Sequence, residues 1–122
     1  MKPFARLVLL FAMLGAPLLS AQTHSNTLSW LWSQGTGDPA TGFHIWRAAG
    51  TSAPVTTGTP YATVTPSTVL TYVDTAVAAG NTFTYVITAF NAGGDSTPSN
   101  SATCVTPFSP PTSPTTLSGT VK

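Results

Sequence analysis

Apolar and polar residues alternate with a period of two from Phe83 to Phe90. Phe83, Tyr85, Ile87 and Ala89 fall on one face and Thr84, Val86, Thr88 and Phe90 on the other, the pattern of a strand whose faces meet different surroundings. Just upstream, Tyr72-Val73-Asp74 closes a second β-rich run. Ala78-Ala79-Gly80-Asn81 then supplies a turn, in which Gly80 and Asn81 tolerate unusual backbone angles. Asn91-Ala92-Gly93-Gly94-Asp95-Ser96 is a flexible loop by composition.

The same period predicts strands on either side. Between Ser25 and Ser33, Leu28 and Trp30 point one way and Thr27, Ser29 and Leu31 the other, with Trp32 keeping the inward parity near the strand end. Gln34 to Ala40 is a loop, with a turn at Asp38-Pro39. In Gly42 to Arg47, Phe43 and Ile45 face inward and His44 and Trp46 outward. Ala48 to Pro60 is a loose Gly, Ser, Thr and Pro segment around a short edge strand. Tyr61 to Thr65 and Thr68 to Val73 are strands split at Pro66, because a proline interrupts a ladder, and the last strand covers about Ser99 to Thr106. No helix is required anywhere, and short, evenly spaced strands with turn signals predict an all-β, two-sheet sandwich.

Residues 1–21 read as a secretory leader. Lys2 and Arg6 form its positive end, Leu7 to Leu14 its apolar stretch and Leu19-Ser20-Ala21 its small-residue exit. The apolar run is broken by Gly15 and Pro17, short of the ~20 residues of a membrane span. Cleavage near Ala21 leaves about 100 residues, enough for one sandwich core. The protein is thus expected outside the cell, with the sandwich in residues 22–107, a stiff Pro-rich linker in 108–114 and a strand-like tail in 115–122.

Only 6% of residues are charged, so nothing attracts nucleic acid or an anionic membrane. Thr and Ser stand where charges would usually sit, which leaves the surface poorly protected against self-association. The single Cys104 has no internal disulfide partner. It reads as a small buried residue facing inward with Ala102, an intermolecular disulfide being the lesser reading.

Tyr72, Asp74, Val77, Gly80, Phe83, Tyr85, Ile87, Ala89, Asn91 and Ser99-Asn100, in that order and spacing, resemble the second half of a fibronectin type III domain of the bacterial secreted kind. Thr27-Leu28-Ser29-Trp30 resembles that family's strand B and Gly42-Phe43-His44-Ile45-Trp46-Arg47 its strand C, so the likeness spans roughly Ser25 to Pro107. It implies an immunoglobulin-like sandwich and a turn-bonding role for Asp74. Two departures stand out. Phe83 occupies the place of the family's corner tyrosine, which removes one hydrogen bond of about 1 kcal/mol. The family's first strand has almost no room ahead of Ser25, whereas Thr115 to Lys122 resembles that very strand, with Leu117 its inward residue.

That displacement suggests strand exchange through Leu117 and Thr120: the tail of one molecule covers the open edge of another by backbone pairing. Filling its own vacancy in the family's direction requires a return of about 30 Å along the sandwich. The linker of about eight residues spans only ~25 Å. Pairing in the reverse direction remains within reach.

Chemistry is sparse. Three Asp and two His are scattered among loops, strand ends and an outer face, and none has metal-ligand spacing to a second candidate. No nucleophile elbow, phosphate loop or zinc pattern occurs. The sequence therefore reads as a non-catalytic module without cofactor or metal, structural or adhesive, acting on a protein partner or on itself. The alternatives are a carbohydrate-binding module that uses an outer aromatic patch of His44, Trp46 and Phe90, or a truncated piece of a larger surface protein or glycan-active enzyme. Ordinary cross-strand packing is the bland account of that patch.

Overall fold

A computed structural model describes residues 22–122, and the leader read in residues 1–21 lies outside them. The chain is an all-β, two-sheet sandwich. One sheet pairs β1 (His24–Ser29) with β4 (Thr71–Val77). The other runs β3 (Ala62–Val64), β2 (Gly42–Ala49), β5 (Thr82–Asn91), β6 (Gly94–Asp95), with β7 (Ala102–Val105) on the same side of β5 as β6. Every pairing is antiparallel.

Period-two alternation places the core. Leu28 of β1 meets Phe43, Ile45, Val64 and Tyr85 of the larger sheet, and Trp30, Trp32, Tyr72, Ile87 and Cys104 pack against this group. Trp30 and Trp32 both set their rings edge-on to Phe43, at 5.2 and 5.5 Å between centroids, a favoured aromatic geometry.

Several boundaries differ from the sequence reading. β1 stops at Ser29 rather than Ser33: the Trp30 N–H still donates to the Leu70 carbonyl, but Leu31 then turns fully into solvent. β4 continues past Val73 to Val77, because its pairing with β1 runs on to His24. The last strand begins at Ala102 rather than Ser99. Over Ser96 to Ser99, where Pro98 has no N–H to offer, the Ser96 and Ser99 N–H groups still donate to the Ala89 and Ile87 carbonyls, but serine hydroxyls replace the carbonyls as acceptors: Ser99 Oγ accepts from the Ile87 N–H and Ser96 Oγ from the Ala89 N–H. At the opposite end, the 78–81 turn closes as expected, with Gly80 at φ 75° and Asn81 Oδ1 accepting from the Ala78 N–H.

Candidate functional site

Three places gather the residues that carry chemistry or exposed apolar surface. In the interior, Asp74 accepts at 2.7–2.9 Å from Arg47, Tyr61, Tyr85 and the Ala76 N–H, while Asn26 donates to the Tyr85 hydroxyl at 2.9 Å. The bond from Ala76 is local but lies within β4, so Asp74 does not bond the 78–81 turn expected of it; the other three cross the sandwich. Burial works to raise the Asp74 carboxyl, but the bonds from Tyr85, Arg47, Tyr61 and Ala76 outweigh it and hold the group below its ordinary value. Burial also lifts the Tyr85 phenol, to about 12, against the Asn26 bond and with the help of the Asp74 carboxylate. A buried ion pair whose lone pairs are all used is a structural clasp.

The second place is the outer face of β2, β5 and β6. Cross-strand pairing sets His44 opposite Thr88 and Phe90 opposite Asp95. His44 stacks on Phe90 at 4.0 Å with 4° between planes, and its Nδ1 lies 2.8 Å from Asp95 Oδ2. With a carboxylate as partner, Nδ1 carries the proton. Thr88 Oγ1 donates to the same Asp95 oxygen at 2.6 Å and accepts from Trp46 Nε1 at 2.9 Å. Burial works to raise the Asp95 carboxyl; the bonds from Thr88 and His44 win and lower it. The bonds from Trp46 through Thr88 and from His44 converge on one oxygen of Asp95. The Thr88 hydroxyl donates to the carboxylate rather than to the imidazole.

The patch expected on His44, Trp46 and Phe90 is therefore only half present. All three lie on the outer face, but Trp46 is 5% exposed. Its ring lies beside the Pro54 to Tyr61 segment, its N–H is spent on Thr88, and His44 covers one side of Phe90. Trp46 therefore offers no open ring face. Asp95 and Thr88 were missed as members of this cluster. The available signal was Asn91-Ala92-Gly93-Gly94 as a hairpin turn, which pairs Asn91 with Gly94 and so sets Asp95 beside Phe90.

A depression of about 400 Å³ lies between the Gln34 to Ala40 loop and this hairpin. Its carboxamides are engaged internally, Gln34 with Gly37, Asp38 and Ala40, and Asn91 with Gly93 and the Asp38 and Pro39 carbonyls. Among the described residues, no three His, Cys, Asp or Glu side chains converge as metal ligands, and no helix is long and apolar enough to cross a membrane.

The third place is the seam beside β1. Hollows of about 350 and 200 Å³ follow Leu28 to Trp32 on one wall and Ser96 to Ala102 on the other, with Ile87 common to both. Trp30 lines both, and its Nε1 is buried without an acceptor among the described residues. Leu117 and Thr120, expected to exchange, sit in a tail that is exposed along its whole length and forms no strand. In comparisons with known proteins, neither a protein-family model nor a curated protein matches this chain.

Proposed function

We propose that the protein is an exported, non-catalytic module of the fibronectin type III kind, with a structural or adhesive role in protein contact at the cell surface or beyond it. The observation that carries this reading is how the few ionisable side chains are used. Asp74 and Arg47 clasp the two sheets together, and Asp95 and His44 fasten a hairpin to an outer face. What remains for a partner is Thr- and Ser-rich surface with few charges, Asp38 and Lys122 among them, and with apolar residues exposed at Leu31, Val105 and Phe108. The leader pattern and the ordered likeness of Thr27 to Asn100 to the secreted family support the compartment and the class.

The test expresses the full chain in a secreting host and follows it by fractionation and N-terminal sequencing. Beads coated with the recovered protein are then assayed for retention on cells and on matrix proteins. Processed protein outside the cell and saturable retention support the reading. Unprocessed protein held in the cytoplasm, or retention no better than an unrelated β-sandwich, sinks it.

A further inference from the structure

We propose that the seam beside β1 is a docking groove for one extended strand, and that its occupant is Thr115 to Val121 of a second copy of this chain. The inference rests on the reading of a module that works through protein contact and names the partner.

β1 pairs with β4 along one edge, and along the other no strand meets it among the described residues. Its outward N–H and C=O groups are a template for another strand. β4 also has a free edge, but its side of the sandwich is stitched shut by Arg47 and Tyr61, both donating to Asp74. The β1 side carries the two hollows instead. Trp30, in the wall of both, leaves a buried indole N–H without an acceptor among the described residues, an arrangement that is unfavourable until one is supplied. A strand laid along this wall brings a row of carbonyl oxygens to it.

The tail has the matching chemistry. In Thr-Thr-Leu-Ser-Gly-Thr-Val, Leu117 and Val121 share one face of a strand, about 13 Å apart. Gly119 lies between them and sets no side chain against a broad indole. No charge occurs before Lys122, and none of the residues along the groove is charged. Both apolar side chains are left in solvent, Leu117 at 98% and Val121 at 101% exposure.

For a strand that pairs antiparallel to β1, a second copy is required by where the tail is rooted. Phe108 packs against Gly80, and Ser109 Oγ lies 3.4 Å from His24 Nε2, so the tail departs beside the start of β1. To enter its own groove antiparallel to β1, Thr115 must reach the Trp32 end, about 26 Å away along the strand. The Pro-rich stretch from Ser109 to Thr115 spans only ~19 Å in polyproline form. The groove of another copy carries no such restriction. A contact in which each copy gives a tail and takes one is heterologous, and it propagates as an open chain unless its rotation closes a ring.

The test measures the molar mass of the secreted full chain by light scattering over a wide concentration range, beside the double variant Leu117→Asp, Val121→Asp. Circular dichroism and thermal unfolding are recorded for both. The expected result is a mass that climbs at least about twofold with concentration for the native chain, and a folded monomer for the variant. In a Cys104→Ser background, mixing chains that carry Leu31→Cys with chains that carry Leu117→Cys is expected to give a mixed disulfide. Three results each overturn the inference: a native chain that stays monomeric, a variant that associates as strongly as the native chain, or a variant whose monomer loses its fold because the tail serves its own domain. None of these touches the compartment and retention assays, so the inference can fail while the broader reading stands.

Discussion

Arg47 of β2 donates to Asp74 of β4 at 2.7 Å, crossing from one sheet to the other, with its guanidinium held between the rings of Tyr61 and Phe83 at 3.8 and 4.2 Å from their centroids. Phe83 thus has its own work. It cannot make a tyrosine's hydrogen bond, but it supplies an aromatic face to a cation. The inter-sheet hydroxyl bonds come from Tyr85 and Tyr61, both ending on Asp74.

Removing the acceptor strands every donor around it. Asp74→Ala is expected to lower the unfolding free energy by about 3–5 kcal/mol, since it leaves a half-buried guanidinium and the Tyr85 hydroxyl without their carboxylate. Urea unfolding followed by tryptophan emission measures it. A loss below about 1 kcal/mol would mean that the four bonds onto Asp74 contribute no net stability.

The same cluster sets a pH window. Asp74 and Asp95 lie below their ordinary values in the folded chain, so their contribution is complete above the unfolded carboxylate range, near pH 4, and is lost as pH falls through the folded values. Tyr85 is shifted the other way, to about 12. Its contribution is complete below the unfolded phenol value, near pH 10, and is lost as pH rises toward 12. Melting temperature against pH should therefore show a broad plateau with an acid and an alkaline limb. Asp74→Asn should flatten the acid limb and Tyr85→Phe the alkaline one; limbs unchanged in both variants would remove these groups as their source.

Which parts were legible follows from the range of each interaction. Inward parity at Leu28, Phe43, Ile45 and Tyr85 was readable because a strand's two faces alternate whatever it pairs with. A local acceptor role for Asp74 was readable because its bond from the Ala76 N–H spans two residues, although Ala76 lies in β4 and not in the turn. The partners Tyr61, Tyr85 and Arg47 lie 13, 11 and 27 residues away, and His44 meets Asp95 across 51. Those meetings are set by strand register and by a hairpin return, neither of which alternation encodes. Trp46 shows the same limit: its face was readable, and what lies over that face was not.

Trp46 is therefore expected to behave as a packing residue. Trp46→Ala should cost about 3–5 kcal/mol in urea unfolding, the usual penalty for deleting a large buried ring. A variant that keeps only Trp46, with Trp30 and Trp32 changed to Phe, should resist acrylamide quenching. Unchanged stability in the first variant together with ready quenching in the second would restore the ring as an open surface.

Gly42, where β2 passes β3, has no space for a side chain. A Cβ there would run into the Val64 carbonyl oxygen and close on Thr65 Cγ2 at 2.8 Å and Phe90 Cε1 at 3.2 Å. Gly42→Ala should destabilise by about 1–3 kcal/mol, as overpacking does. Because Phe90 carries His44, the strain should also shift the His44 ring resonances in an NMR spectrum. Unperturbed His44 signals in a folded variant would argue that β3 alone yields.

The root of the tail can be isolated by comparing two glycines with nearly equal backbone angles. Gly58 has φ 85° with nothing near a built Cβ, while Gly80 has φ 75° and a Cβ there would press into the Phe108 ring. Gly58→Ala should show only the cost of a left-handed alanine, roughly 1–2 kcal/mol. Gly80→Ala adds the displacement of the exposed Phe108 ring, so at little further cost in stability it should also free the tail. Lower backbone order parameters and faster proteolysis over residues 107–122 would register that release in Gly80→Ala alone. Equal behaviour of the two variants would show that Phe108 does not hold the tail at the start of β1. The reach that keeps Thr115 from its own groove would then lengthen, so this comparison bears directly on which copy of the chain fills the seam.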